Sequence, residues 1–265
     1  MNTFRRAARV LLTAACFLAS PAYATSFSTD QSDLYYIASE SGWGIQLVQR
    51  GPDIFATLFI YGPNGQPTWY TATMYPNGTS FTWSGTLIAT TGTYFGAPWN
   101  PAALTINSVG TMTWTAPFVD SGTLTYVVNG VTVVKSVTRQ SLVLDDYSGH
   151  YAGGFHRDYT GCVNPALDVT SEVLASVNVA QNGAAINIQT SEPGGTCTYT
   201  GTLSEAGQMG SAQLSFTCSD GTAGTESLDQ MQVSVYAIGG SLAATYTNPP
   251  GCQATGWFGG FRQTL

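Results

Sequence analysis

The chain holds two histidines, His150 and His156. With Asp158 they share one parity of a single strand-like segment, the arrangement a His–Asp pair or a metal site would need. The opposite parity carries Tyr151 and Phe155, which turns the polar set toward solvent. No Cys-x-x-Cys or His-x-x-x-His spacing accompanies it, so the sequence names no metal and no cofactor. Carboxylate chemistry has one candidate pair, Glu40 with Asp53, which could serve an extracellular hydrolase or isomerase if the fold made them converge. Serine and threonine abound, yet there is no Gly-x-Ser-x-Gly elbow, phosphate loop or dinucleotide fingerprint. No catalytic residue is assigned.

Aromatic residues offer a second kind of chemistry, because a flat ring can stack on a sugar or close over a small apolar molecule. Most of them belong in a core. The segment Gly92 to Pro101 is different, since Tyr94, Phe95 and Trp99 sit among glycine and prolines where strand burial does not follow. With Trp43 and Trp69 they form the candidate ligand-binding set. Trp43 stands between Gly42 and Gly44, which permits a tight or bulged backbone with the indole covering one end of a sheet and Glu40 accepting backbone N–H groups across the turn.

The elements that must position these groups are strands. Asn64-Gly65, Asn77-Gly78, Asn129-Gly130 and Asn182-Gly183 each lie beside segments rich in β-branched and aromatic residues, which is hairpin punctuation. A two-residue turn at Asn182-Gly183 predicts Val179 opposite Ile186 and Val177 opposite Ile188 on one apolar face, with Asn178 and Asn187 on the other. Gly207-Gln208 has the Gly-first order of a type II′ turn and sets Tyr199 against Phe216 and Cys197 against Cys218. Counting outward gives the cysteines a non-hydrogen-bonded pair with Cα atoms about 4.5 Å apart, within disulfide reach. That choice leaves Cys162 for Cys252, neighbours if a barrel closes on itself.

The first 24 residues have the order of a secretory leader: Arg5, Arg6 and Arg9, an apolar run from Val10 to Ser20, then Ala22-Tyr23-Ala24. Leu12-Thr13-Ala14-Ala15-Cys16 offers a competing reading, in which Cys16 is acylated after cleavage. Removal of the leader takes three of the eight basic residues and none of the fifteen acids. An acidic remainder argues against nucleic-acid partners and anionic lipid surfaces. The apolar run is too short for an integral membrane helix and no later window suits one, so the expected location is secreted or periplasmic, with cell-surface association open.

The remaining chain divides near Leu142 to Tyr147, into 25–143 and 144–265. Arg139-Gln140-Ser141-Leu142 closes the first part and Arg262-Gln263-Thr264-Leu265 the second, consistent with a degenerate duplication. Each half has about eight strand-like segments, so the expected fold is all-β: two tandem small antiparallel up-and-down barrels or curled meanders, the second stapled by disulfides. One continuous two-sheet sandwich is the alternative.

Two resemblances bear on this. Tyr35-Tyr36 followed by Glu40-Ser41-Gly42-Trp43-Gly44, then Gly62-Pro63-Asn64-Gly65-Gln66-Pro67-Thr68-Trp69-Tyr70, resembles a motif of uncharacterised exported bacterial proteins, here with tyrosines where tryptophans are expected; it implies location and fold. The chain also resembles calycin barrels, the lipocalin and avidin-like binders, in offering a first-strand aromatic beneath a last-strand arginine: Tyr151 with Arg262, and Tyr35 or Tyr36 with Arg139. Tyr151 stands where those folds place a Gly-x-Trp, so the resemblance implies architecture alone. The expected function is a non-enzymatic binding protein that engages a glycan, a small apolar ligand or a protein through a barrel mouth or the Tyr94 to Trp99 loop. The alternatives are the carboxylate enzyme and an outer-membrane barrel, the latter opposed by the expected disulfides and the lack of a lipid-facing apolar band.

Overall fold

The computed structural model describes residues 29–78 and 81–263. The leader and Cys16 lie outside the described residues. Among the described residues sixteen strands form two closed antiparallel barrels. The first comprises β1 (Asp33–Tyr36), β2 (Gly44–Arg50), β3 (Asp53–Tyr61), β4 (Pro67–Pro76), β5 (Thr82–Thr91), β6 (Thr105–Thr115), β7 (Ser121–Val128) and β8 (Val131–Arg139). The second comprises β9 (Gly149–Thr160), β10 (Thr170–Asn182), β11 (Ala185–Glu192), β12 (Gly195–Ala206), β13 (Met209–Cys218), β14 (Ala223–Val233), β15 (Ala237–Asn248) and β16 (Gln253–Arg262). Barrels rather than a sandwich follow from the pairing of β8 with β1 and of β16 with β9.

Strand alternation builds each core, since every second side chain points inward. Ile54, Ala56 and Leu58 of β3 meet Ala72 and Met74 of β4, with Trp83, Met112 and Trp114 beyond them, all buried. Leu214, Phe216, Leu228, Leu242 and Ala244 do the same in the second barrel.

One end of each barrel is sealed by the same device. Arg139 lies 5.2 Å from the Tyr35 ring centroid and Arg262 lies 4.9 Å from that of Tyr151. The Tyr35 hydroxyl donates to Gln31 O and the Tyr151 hydroxyl to Tyr147 O, each four residues upstream. Arg139 Nη1 donates to Ser32 O and Arg262 Nη1 to Ser148 O. Gln140 N reaches Leu34 O, as Gln263 N reaches His150 O. A bond-by-bond repeat of this kind supports an internal duplication, and Tyr35 rather than Tyr36 is the residue under Arg139.

The two sealed ends face each other. Asp33 Oδ2 accepts from Arg139 Nη1 at 3.2 Å within the first barrel and from Gln208 N at 2.9 Å across the junction. Gln208 Nε2 donates to Ser32 O, and Gly207 N to Ser141 Oγ. Gly207 has φ +61°, and a Cβ there would lie 1.9 Å from Asp33 Oδ2; the type II′ glycine that turns the hairpin also lets it reach the first barrel.

Both expected disulfides are present, Cys162–Cys252 and Cys197–Cys218, and Tyr199 faces Phe216 as the Gly207-Gln208 turn requires. The Asn182 register differs from expectation. Asn182 pairs with Ala185, which puts Val179 opposite Ile188 and Ala180 opposite Asn187. Gly183 alone has a positive φ there, +58°, so the turn is Gly183-Ala184, a Gly-first bend, and not the doubly left-handed Asn-Gly bend. A shift of two residues keeps every side chain on its face.

Candidate functional site

Joining sealed ends leaves an open mouth at each far end. The mouth of the first barrel is ringed by the 38–43 turn, the Tyr61 to Pro67 hairpin and the tight Asn129-Gly130 turn, both of whose residues have positive φ. Inward parity brings Tyr70 on β4, Tyr126 on β7 and Lys135 on β8 to this end, and Trp43 folds in from the turn. They surround a cavity of about 540 Å³ together with Ile60, Tyr61 and Val133.

Glu40 and Lys135 are its charged lining residues, and they neutralise each other. Lys135 Nζ donates to Glu40 Oε2 at 2.7 Å, and the Trp43 indole donates to the same oxygen at 3.1 Å. The Lys135 ammonium also stands 5.6 Å from the Trp43 ring centroid. The hydrogen bond from Lys135 holds the Glu40 carboxyl below the usual range. Glu40 therefore latches the turn through side chains, where the sequence suggested backbone N–H partners. Gly42, at φ +105°, admits the Tyr61 hydroxyl to within 2.7 Å of where its Cβ would be. The glycine spacing thus places Trp43.

The remaining sequence candidates fall close by without joining the lining. Trp69 points outward from β4 and pairs with Phe59 of β3, both about half exposed. The sequence could not tell Trp69 from its neighbour Tyr70; parity decides, because Ala72 and Met74 fix the inward set. Tyr94, Phe95 and Trp99 lie on the connection from β5 to β6, which leaves from the same barrel end, and Phe95 is 94% exposed. Tyr94 and Phe95 rings are 4.6 Å apart.

Glu40 and Asp53 are not brought together. Asp53 opens β3 at the sealed end and Glu40 sits at the mouth, with the nine-residue length of β3 between them, about 27 Å at strand rise. The acid–base pair required for the hydrolase or isomerase reading does not exist in this fold. His156 and Asp158 do face outward on β9: His156 stacks on Trp257 at 3.9 Å and contacts Glu172 and Asp158. Among the described residues no group of three or more His, Cys, Asp or Glu is arranged to hold a metal ion, and no helix is long and apolar enough to cross a membrane.

The mouth of the second barrel contains groups the sequence reading missed. From open to sealed end, the inward side chains of β9 are Tyr159, Arg157, Phe155 and Tyr151. Arg157 is buried, forks toward Glu192 at 3.3 Å and lies 4.2 Å from the Phe155 centroid. Glu226, inward on β14 between Leu214 and Ala244, is 4% exposed. Burial pushes its carboxyl up to about 7, against the pull of Arg157 and with some repulsion from Glu192. The signal was available: Arg157 shares the parity of Tyr151 and Phe155, and Glu226 that of Leu228.

Fold and sites together define a tandem-barrel, disulfide-bonded all-β protein with two outward-facing mouths. No family model matches the chain, and no curated protein matches it. Among solved structures it is similar to the isotype 1 transferrin binding protein B of serogroup B Neisseria meningitidis, with a TM-score of 0.32 and 10% identity over 84% of this chain. The chain spans 66% of that protein's length.

Proposed function

We propose that this is an exported, non-enzymatic binding protein whose first barrel holds a neutral glycan at its aromatic mouth. One observation carries the reading: four aromatic side chains, Trp43, Tyr61, Tyr70 and Tyr126, line a ligand-sized cavity whose charged lining residues cancel as one ion pair. Rings with hydroxyl and indole donors at their edges suit sugar faces, and a neutral wall favours an uncharged ligand. The exposed Tyr94, Phe95 and Trp99 extend the aromatic surface outward at the same end, where successive sugar units of a chain would lie. Two disulfides and the leader-like start accord with export to an oxidising compartment.

The test is tryptophan fluorescence of the purified protein titrated with cello-, xylo- and chito-oligosaccharides. Saturable quenching that Trp43→Ala abolishes and Trp99→Ala weakens is expected. Unchanged affinity in Trp99→Ala would remove the loop from the site, and no saturable response across the panel would overturn the glycan reading.

A further inference from the structure

The second mouth differs from the first in composition and in what it leaves unmatched. Tyr159, Tyr199, Phe216 and Tyr246 line an opening of about 140 Å³. Their rings form a continuous wall: Tyr199 to Phe216 and Phe216 to Tyr246 are each 5.3 Å between centroids, and Tyr159 to Tyr246 is 5.6 Å. Gly224 lies between Phe216 and Tyr246 in the sheet, and a Cβ there would come within 3.0 Å of the Phe216 ring. The missing side chain gives that ring its place.

Charge at this mouth does not balance. Arg157, which lines the opening and has Phe155 against its guanidinium, pairs with Glu192 and also attracts Glu226, so one cation serves both acids. Asp220 on the rim is a further acid, and Glu226 lies one layer deeper. Glu226 borders a small inner cavity of about 30 Å³ that shares Tyr199 with the outer opening. No side-chain or backbone hydrogen bond joins its carboxylate to another described residue, and Thr190 Oγ1 and Arg157 Nε are buried near it without hydrogen-bond partners. A buried carboxyl that shares its one cation and accepts no hydrogen bond costs stability, so a second cation beside it would recover part of that cost. Aromatic faces meeting over a carboxylate favour an organic ammonium, whose charge is attracted to ring faces and whose methyl groups tolerate apolar walls.

We infer that the second barrel is a separate binding site for a methylated ammonium group, held against the Tyr159, Tyr199, Phe216 and Tyr246 rings with Glu226 as its counter-charge. The site is independent of the glycan reading and lies at the opposite pole of the molecule.

Isothermal titration of the full chain with choline, and with its neutral carbon isostere 3,3-dimethylbutan-1-ol, tests this. Saturable binding of choline is expected, with the isostere at least tenfold weaker. Glu226→Gln, which removes charge and keeps volume, should weaken choline at least tenfold, and Trp43→Ala should leave it unchanged. Phosphatidylcholine vesicles in a parallel sedimentation assay separate a lipid headgroup from a free solute as the source. Equal affinity for the isostere, full affinity in Glu226→Gln, or no heat with choline would overturn the assignment.

Discussion

Glu226→Gln should make the second barrel more stable, and by an amount that depends on pH. In the folded chain the carboxyl is pushed from 4.5 up to about 7 by burial. Once unfolded, it ionises near its ordinary value. Between these two values the native state binds a proton that the unfolded chain has released, so stability falls as pH rises. The favourable contribution of the neutral acid is complete below about pH 4.5 and gone above about pH 7. A shift of this size corresponds to roughly 3 kcal/mol at 1.36 kcal/mol per unit. Glutamine carries no such slope. Variant and parent should therefore have similar stability near pH 4, and the variant should lead by roughly 3 kcal/mol near pH 8. Urea unfolding followed by fluorine NMR of fluorotryptophan-labelled protein isolates the effect, because Trp257 is the one tryptophan in the second barrel. A difference that stays constant between the two pH values would refute the account, as would a variant less stable than the parent near pH 8.

Three other outcomes follow from the structure. Arg139→Met strips Asp33 of its cation, leaving it the Gln208 and Leu34 amides, and removes the seal over Tyr35; it should cost about 3–5 kcal/mol, measured as a lowered urea midpoint of the first barrel. Reduction of the disulfides should destabilise the second barrel directly; the 90-residue Cys162–Cys252 loop should contribute about 5 kcal/mol and the 21-residue Cys197–Cys218 loop about 3 in the chain-entropy picture, tested by unfolding the two double Cys→Ser variants. The hydrogen bond from Glu172, with help from Asp158, raises the His156 pKa above 6.5, so the imidazolium stacked on Trp257 persists above that pH. The fluorine resonance of Trp257 should titrate with a midpoint above 6.5, and His156→Gln should abolish the transition.

What the sequence made legible was local or covalent. The glycine of the Gly207-Gln208 turn fixes its own register, and Cys197, ten residues before it, inherits that alignment through a regular ladder. The resemblance to calycin barrels pointed to Tyr151 with Arg262 and to Tyr35 or Tyr36 with Arg139 as first-strand and last-strand partners, and the structure selects Tyr35. The mouths were not legible in the same way. Lys135 meets Glu40 across 95 positions, and nothing in either neighbourhood marks the other. Arg157 and Glu226 were not singled out in the sequence, where single charges among polar strand residues carry no mark of burial; strand parity places them inside, and burial raises the pKa of Glu226. Asn182-Gly183 was misleading because Asn-Gly suits a bend with two left-handed residues, whereas this hairpin needs one.

Asp33 Oδ2 joins two structures at once, accepting from Arg139 on one side and from Gln208 on the other. The first barrel closes through a seam of two register pairs, Tyr35 with Arg139 and Tyr36 with Thr138, whereas ten pairs close the second. The carboxylate that steadies the short seam is the one that grips the neighbouring hairpin. Prising the lobes apart would unfasten the first ring at its narrowest stitch, so the lobe without disulfides borrows its rigidity from the lobe that has them.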